Sequence, residues 1–173
     1  MQRADELIAV VNSSPLIYLG KLGLLSLLQQ LFDHVLTVPS VKDEVLDSSA
    51  SEYATLQSAF SDWLIVSDVP KSVLSTRLSD MGLHQGEVDA LVLAYHTKEQ
   101  QSDSVIIIDD LAARDVARSL GLRVAGTIGI ILRETKNGLL TKDESRARIR
   151  FLVEETSFGM SAALYSRVIS GLE

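Results

Sequence analysis

Short apolar runs alternate along the chain with longer segments whose apolar residues recur every three or four positions. Five of these runs predict strands, at residues 7–11, 35–38, 63–67, 105–108 and 123–125. The segments between them predict helices, and the most regular helical pattern covers residues 85–100. Strands that alternate with helices indicate an α/β domain with a mainly parallel sheet, covered by helices on both faces.

The segment after the first predicted strand carries the signals of a helix start. Ser14 is a favoured N-cap residue, and Pro15 fits the first helical position. Apolar residues continue at helical spacing as far as Leu31. We therefore predict one long helix over residues 15–31.

The last part of the chain differs from the rest because it contains no predicted strand. Thr141 and Glu144 have the spacing of a capping box, which predicts a helix start at this point. We therefore expect an α/β domain over residues 1–140. Residues 141–173 are expected to form a helical C-terminal extension that packs on the same domain.

Composition narrows the possible classes of protein. The chain has 173 residues, of which 46% are hydrophobic and 23% charged, so it can form a core without disulfides. It contains no cysteine, which excludes a disulfide framework, a thiolate zinc site and a cysteine nucleophile. Acidic residues lie where a signal peptide needs positive charge, and no apolar run has the length of a membrane-spanning helix. We expect a soluble cytoplasmic protein with no membrane partner.

Charge is distributed unevenly along the chain. The net charge of −7 argues against a protein that coats nucleic acid by bulk charge, yet residues 111–150 contain nine basic and four acidic residues. Arg114 and Arg118 are four positions apart and share one helix face, where they are candidates for contacts to phosphate. The alternative is an ordinary solvated helix face that is paired with Asp115.

Acidic residues recur near the predicted carboxyl ends of strands, where ligands bind in open α/β sheets. These acids are Glu44, Glu87, Asp89, Asp109 and Asp110. Each has an ordinary explanation: Asp110 can cap the following helix, for example, and the acids of the first turn of helix 85–100 complement the helix dipole. As a group, however, an all-oxygen set of ligands suits Mg²⁺ or Mn²⁺. Such ions generate a nucleophilic water and hold an in-line phosphodiester displacement.

Four segments resemble, in order and spacing, the motifs of PIN-domain proteins, and especially those of a prokaryotic PIN-like family of unknown function. They are Val10–Ile17, Gly86–Ala94, Ile107–Arg114 and Gly121–Gly129. The resemblance covers nearly the whole chain and implies a three-layer α/β/α fold with a parallel sheet. It also implies kinship with VapC-type toxins, which are metal-dependent endoribonucleases that an antitoxin protein holds inactive, and it implies a homodimer.

The resemblance also implies which residues bind metal. In the family, four acidic positions bind Mg²⁺ or Mn²⁺. The second of these falls on Glu44, the third on Asp89 and the fourth on Asp110. Glu87 and Asp109 are acidic neighbours that can substitute for them, so we keep both as metal candidates.

The first acidic position of the family falls on Asn12, which is a departure from its pattern. An amide oxygen can bind a metal ion, but it contributes no charge and offers no base for the attacking water. Asn12 therefore marks a weak nuclease, an inactive relative, or a site completed by Glu87 and Asp109. Alternatively, Asn12 makes side-chain hydrogen bonds within its turn. Ser14 matches a serine that helps to order the first acid in the family.

Two functions remain open from the sequence. The first is a metal-dependent endoribonuclease that cleaves RNA as the toxin of a toxin–antitoxin pair. Its catalytic residues would be Asn12, Glu44, Asp89 and Asp110. The second is a catalytically weak or inactive PIN-like protein that acts by binding RNA or a protein partner. A nuclease that acts on DNA or on a structured flap is a third possibility.

Overall fold

The structure is a computed structural model that describes residues 6–100 and 103–173. Within these residues, five parallel strands form one sheet. The strands are β1 (Ile8–Val11), β2 (His34–Thr37), β3 (Leu64–Val66), β4 (Ser104–Ile107) and β5 (Arg123–Ala125). Their order across the sheet is β3-β2-β1-β4-β5, so the direction of winding reverses between β1 and β4. The predicted α/β architecture is confirmed, and the sheet is parallel throughout. Ligand sites of open parallel sheets lie at such a reversal, beyond the carboxyl ends of the strands.

Helices connect the strands and follow the last of them. Those before β5 are α1 (Ser13–Lys21), α2 (Ser26–Leu31), α3 (Pro39–Val45), α4 (Tyr53–Asp62), α5 (Val73–Asp80), α6 (Gln85–Gln100) and α7 (Leu111–Ser119). Those after it are α8 (Thr127–Asn137), α9 (Lys142–Glu155) and α10 (Ala162–Ser170). Every residue of β1 and β4 is buried, and α6 contacts both strands, so the centre of the sheet is covered on both faces. In the part of the chain that is described, no helix combines the length and apolar character needed to cross a bilayer.

The long helix predicted over residues 15–31 is interrupted. Gly23 lies between α1 and α2 with a φ of 67°, a left-handed conformation that ends helices. Asn12, rather than Ser14, is the N-cap residue of α1. The prediction that Pro15 occupies the first helical position is therefore also wrong. Hydrophobic periodicity continues through the break because both helices contribute leucines to the same core.

The backbone contacts divide the chain into two compact units. The first ends at Thr127 and contains the whole sheet, and the second is Ile128–Glu173. The second unit contains helices and no strand. The expected division of the chain after residue 140 stays a prediction. The second unit contains the predicted capping box, in which the Glu144 N–H donates to Oγ1 of Thr141 at 3.1 Å and the Thr141 N–H donates to Oε2 of Glu144 at 2.8 Å.

Candidate active site

The pairing of β1 with β4 brings an asparagine and two aspartates to the same edge of the sheet. Val11 and Ile107, the last residues of the two strands, are partners in the parallel register. Asn12 follows β1, and its backbone N–H donates to the carbonyl oxygen of Ile107 at 3.0 Å. Asp109 and Asp110 follow β4 after one further buried residue. The candidate site therefore begins at the point where the winding of the sheet reverses.

Asn12 is a buried polar residue with an unsatisfied side-chain oxygen. Only 4% of its surface is exposed, and its Oδ1 accepts no hydrogen bond from any described residue. Its side chain also makes no capping bond to α1. Leaving a buried acceptor without a partner costs about 1–3 kcal/mol, so such atoms in proteins usually have a ligand, ion or water. The alternative interpretation from the sequence, that the Asn12 side chain makes hydrogen bonds within its turn, is therefore wrong for Oδ1.

Ser13 and Glu44 connect the first turn of α1 to α3. The Ser13 hydroxyl donates to Oε2 of Glu44 at 2.6 Å. Gly86 of α6 lies against this pair, since a Cβ at that position would lie 3.3 Å from Oε2 of Glu44 and 3.6 Å from Oγ of Ser13. The resemblance implies that Ser14 helps to order residue 12, and this role stays a prediction. The contact to Glu44 is made by Ser13, the neighbour of Ser14.

Glu87 is an α6 acid whose charge interacts with the acids of two other elements. It is 9% exposed, and its Oε2 accepts a hydrogen bond from the backbone N–H of His84 at 3.0 Å. Burial is the main cause that raises the pKa of Glu87, and the negative charges of Asp110 and Glu44 raise it further. The His84 hydrogen bond and the charge of His84 act in the opposite direction. The carboxylates of Glu44 in α3 and of Asp110 after β4 are therefore close enough to act on the charge of Glu87.

Asp89 is engaged differently from Glu87. Its Oδ2 accepts a hydrogen bond from Oγ of Ser40 at 2.6 Å, and its Oδ1 accepts one from Nε2 of Gln85 at 2.7 Å. Residues two positions apart on a helix point about 200° apart, so Asp89 and Glu87 do not face one site equally. Both oxygens of Asp89 already have neutral donors. Its assignment as the third metal ligand stays a prediction.

Asp110 is the exposed acid at the end of β4. It is the N-cap residue of α7, and its Oδ1 accepts a hydrogen bond from the backbone N–H of Ala113 at 2.9 Å. The capping role suggested by the sequence is confirmed. Its Oδ2 accepts no hydrogen bond within the described ranges, so capping leaves one oxygen free for a ligand.

Asp109 is bound into the turn at the start of α8. Its carboxylate accepts hydrogen bonds from the backbone N–H of Thr127 at 2.8 Å and from Oγ1 of Thr127 at 2.6 Å. Burial raises the pKa of Asp109, whereas the two Thr127 bonds and the charge of Arg114 lower it. Gly126 leaves room for this group, because a Cβ there would lie 2.8 Å from Oδ1 of Asp109. Asp109 therefore has a structural partner at each oxygen, which the sequence did not indicate.

The two arginines predicted to contact phosphate are both engaged with the protein. Nη1 of Arg114 donates to the carbonyl oxygen of Ile108 at 2.9 Å and lies beside Asp109. Nη1 of Arg118 donates to Asp115 at 2.8 Å in an ion pair whose two side chains are 54% and 79% exposed. Exposed pairs of this kind are weak, so Arg118 can exchange its partner readily, whereas Arg114 stabilises the turn after β4.

The described residues contain no group of three or more acidic or histidine side chains that is close enough to hold a metal ion as it stands. Glu44, Glu87 and Asp110 each have one oxygen held by a protein donor and a second oxygen without a hydrogen bond in the described chain. Asn12 adds an amide oxygen with no partner among the described residues, so all the donors that these four side chains offer are oxygens. The chemistry of this set fits a hard divalent cation.

Fold and site together define an α/β protein with an acidic site at the carboxyl edge of a parallel sheet. The sequence pattern of a PIN-domain family (DUF3368) matches residues 8–173, and the chain belongs to this family. The solved structure of a PilT N-terminus domain protein from the hyperthermophilic archaeon Sulfolobus solfataricus P2 is similar, with a TM-score of 0.52 and 16% sequence identity. The similarity covers 72% of this chain and 90% of that chain, and it concerns the fold. No curated protein matches the chain.

Proposed function

We propose that the protein is a Mg²⁺- or Mn²⁺-dependent endoribonuclease. One observation carries the proposal: the charges of Glu44 and Asp110 act on Glu87, close to a sheet edge where Asn12 has a buried oxygen with no partner among the described residues. Repelling carboxylates and an orphaned acceptor are costly in a folded protein unless a cation compensates for them. Membership of the PIN-domain family supports the same conclusion, because divalent metals are general in PIN domains.

The residues that would hold the ion are Glu44, Glu87 and Asp110, with Oδ1 of Asn12 as a neutral fourth ligand. When bound, such an ion supplies a nucleophilic water and stabilises an in-line displacement at phosphorus. Ser13 orients Glu44 through its hydrogen bond, and the capping bond to Ala113 fixes Asp110 at the start of α7.

A carboxylate must take the proton of the attacking water, because the amide of Asn12 is not a base. Glu44, Glu87 and Asp110 each keep one oxygen without a hydrogen bond in the described chain, so each of them can accept this proton. Because Asn12 replaces an acid, the role of the base passes to another residue of the site, and the site has one negative charge fewer. We therefore expect the enzyme to cleave RNA more slowly than a relative with four acids.

We propose RNA as the substrate, an antitoxin protein as the inhibitor and the homodimer as the working form in the cytoplasm. Family membership supports these assignments. Arg118, which is exposed and held only by an exposed ion pair, is the arginine that we expect to contact the RNA backbone.

A second candidate function is binding without catalysis. The neutral amide of Asn12 favours it, as does the lack of a formed three-acid cluster among the described side chains. In this case the protein would bind RNA or a protein partner through the same surface.

Cleavage of RNA with and without Mn²⁺ tests the proposal. Asp110→Asn is the sharpest variant, because asparagine also caps helices and only the charge is removed. Asp62→Asn, at an exposed position at the end of α4, is the matched control. We expect metal-stimulated cleavage by the wild type and the control and none by Asp110→Asn. Unchanged cleavage by Asp110→Asn would refute the assignment, and absence of both cleavage and Mn²⁺ binding in the wild type would favour the second candidate.

A further inference from the structure

A pocket with a volume of about 550 Å³ lies among α8, α9 and α10, within the second unit of the chain. Pockets for small ligands typically have volumes of about 300–1,000 Å³ and mostly apolar walls. The apolar residues of this one are Leu132, Val168 and Leu172. Val168 is 8% exposed and Leu172 is 3% exposed, so they form a floor rather than an open surface.

Two basic side chains of α9 hold the floor in position. Nη2 of Arg146 donates to the carbonyl oxygen of Leu172 at 2.6 Å. Nζ of Lys142 donates to the carbonyl oxygen of Glu173 at 2.7 Å. The segment after α10 is thereby attached to α9, so the pocket is a built feature of this unit.

The polar part of the pocket is positively charged. Lys136, Lys142 and Arg167 line it, and no acidic residue does. Lys136 and Arg167 are exposed and have no ion pair within the described part of the chain. The concentration of positive charge is local, because residues 128–173 carry seven basic and six acidic residues and the whole chain has a net charge of −7. Unpaired cations beside an apolar floor suit a ligand that is apolar at one end and negatively charged at the other.

We propose that this pocket binds a small amphiphilic anion, a molecule with an apolar body and a single carboxylate or similar anionic head group. The body contacts Leu132, Val168 and Leu172. The head group lies near Lys136 and Arg167, the two lining cations that have no ion pair with any described residue. The proposal uses residues of the second unit only and does not depend on the nuclease assignment.

Calorimetric titration of the full chain with decanoate tests the proposal, with decanol as the uncharged analogue and inorganic phosphate as the anion without an apolar body. The variant Lys136→Ala/Arg167→Ala removes two charges from the pocket. The matched control Arg133→Ala/Arg150→Ala removes two charges from exposed arginines of α8 and α9 that lie outside the pocket. Circular dichroism confirms that both variants are folded.

We expect decanoate to bind the wild type and the control alike, and to bind the pocket variant about tenfold more weakly, as loss of a charge-assisted contact predicts. Decanol should also bind about tenfold more weakly than decanoate. Equal binding of decanol and decanoate, an equal loss in the control, or phosphate binding as tight as decanoate would overturn the proposal. Absence of decanoate binding at millimolar concentration would overturn it as well.

Discussion

The Ser13 hydroxyl donates a 2.6 Å hydrogen bond to Oε2 of Glu44 and so connects the strand-to-helix turn after β1 with α3. Ser13 is buried, whereas Glu44 is an exposed residue whose orientation depends on a partner of this kind. Gly86 of α6 leaves the space in which the two side chains meet. Three elements of the first unit therefore determine where one carboxylate of the candidate site lies.

Ser13→Ala tests this relationship. Because Glu44 is exposed, water can replace the lost donor, and we expect the free energy of unfolding to fall by only about 1 kcal/mol. The affinity for Mn²⁺ should fall by about tenfold or more, because Ser13 no longer orients the carboxylate of Glu44. Ser14→Ala is the matched control and should leave the affinity for Mn²⁺ unchanged. A larger loss of affinity in Ser14→Ala than in Ser13→Ala would show that the motif serine, and not its neighbour, supports the site.

Asn12→Asp restores the acid that the family has at the first position. In the presence of a chelator we expect this variant to be less stable than the wild type by about 1–3 kcal/mol, because a buried carboxylate gains no donor and adds to the repulsion near Glu87. With Mn²⁺ the order should reverse, with an affinity about tenfold higher and faster RNA cleavage. A flat response in the metal titration would count against a place for residue 12 in the site.

Glu87 should make the metal-free protein less stable as the pH rises. Burial raises its pKa in the folded state, so the folded protein binds more protons than the unfolded chain between the ordinary pKa of glutamate and the raised one. Stability is therefore highest below this window, falls through it and stays reduced above it. Glu87→Gln removes the titrating group and should gain about 0.5–2 kcal/mol at neutral pH.

Urea unfolding at several pH values, with a chelator present, measures this effect as the difference between Glu87→Gln and the wild type. Asp109 also has a raised pKa, so it too makes the free energy of unfolding fall as the pH rises. It is present in both proteins, and its contribution therefore cancels in the difference. A variant that loses stability at neutral pH, or a difference that does not depend on pH, would contradict the assigned environment of Glu87.

Thr127→Val tests whether Asp109 is a structural acid. Thr127 is fully buried, and its hydroxyl donates to Oδ2 of Asp109 at 2.6 Å. Valine keeps the shape and the backbone N–H but removes this donor, which should cost about 1–3 kcal/mol. A double-mutant cycle with Asp109→Ala should show a coupling energy on the order of 1 kcal/mol. Additive effects of the two substitutions would mean that the hydrogen bond does not stabilise the turn.

The alternation of strands and helices was sufficient to predict the fold, because it depends on periodicities that local sequence records. The apolar runs gave all five strands within one or two residues. The interruption at Gly23 was missed because the leucines on both sides of it keep a helical spacing while two short helices share one core. A single glycine within a helical pattern does not by itself predict a break.

The candidate site was predictable only in part. Position after a strand identified Asp110, since parallel strands end at one edge of a sheet. The choice between Glu87 and Asp89 depends on the rotation of α6 about its axis, which the sequence does not record. The bond between Asp109 and Thr127 joins residues 18 positions apart, and no local pattern links them.

Titration of the protein with Mn²⁺ in a calorimeter tests the central claim most directly, with Glu87→Gln and Asp89→Asn compared in parallel with the wild type. Both substitutions replace an acid of the first two turns of α6 by its amide, so each removes one negative charge, and the two lost charges faced directions about 200° apart. We predict that the wild type binds Mn²⁺, that Glu87→Gln binds it at least about tenfold more weakly, and that Asp89→Asn stays close to the wild type. Absence of binding in the wild type, or a loss confined to Asp89→Asn, would contradict a metal site formed by Glu44, Glu87 and Asp110.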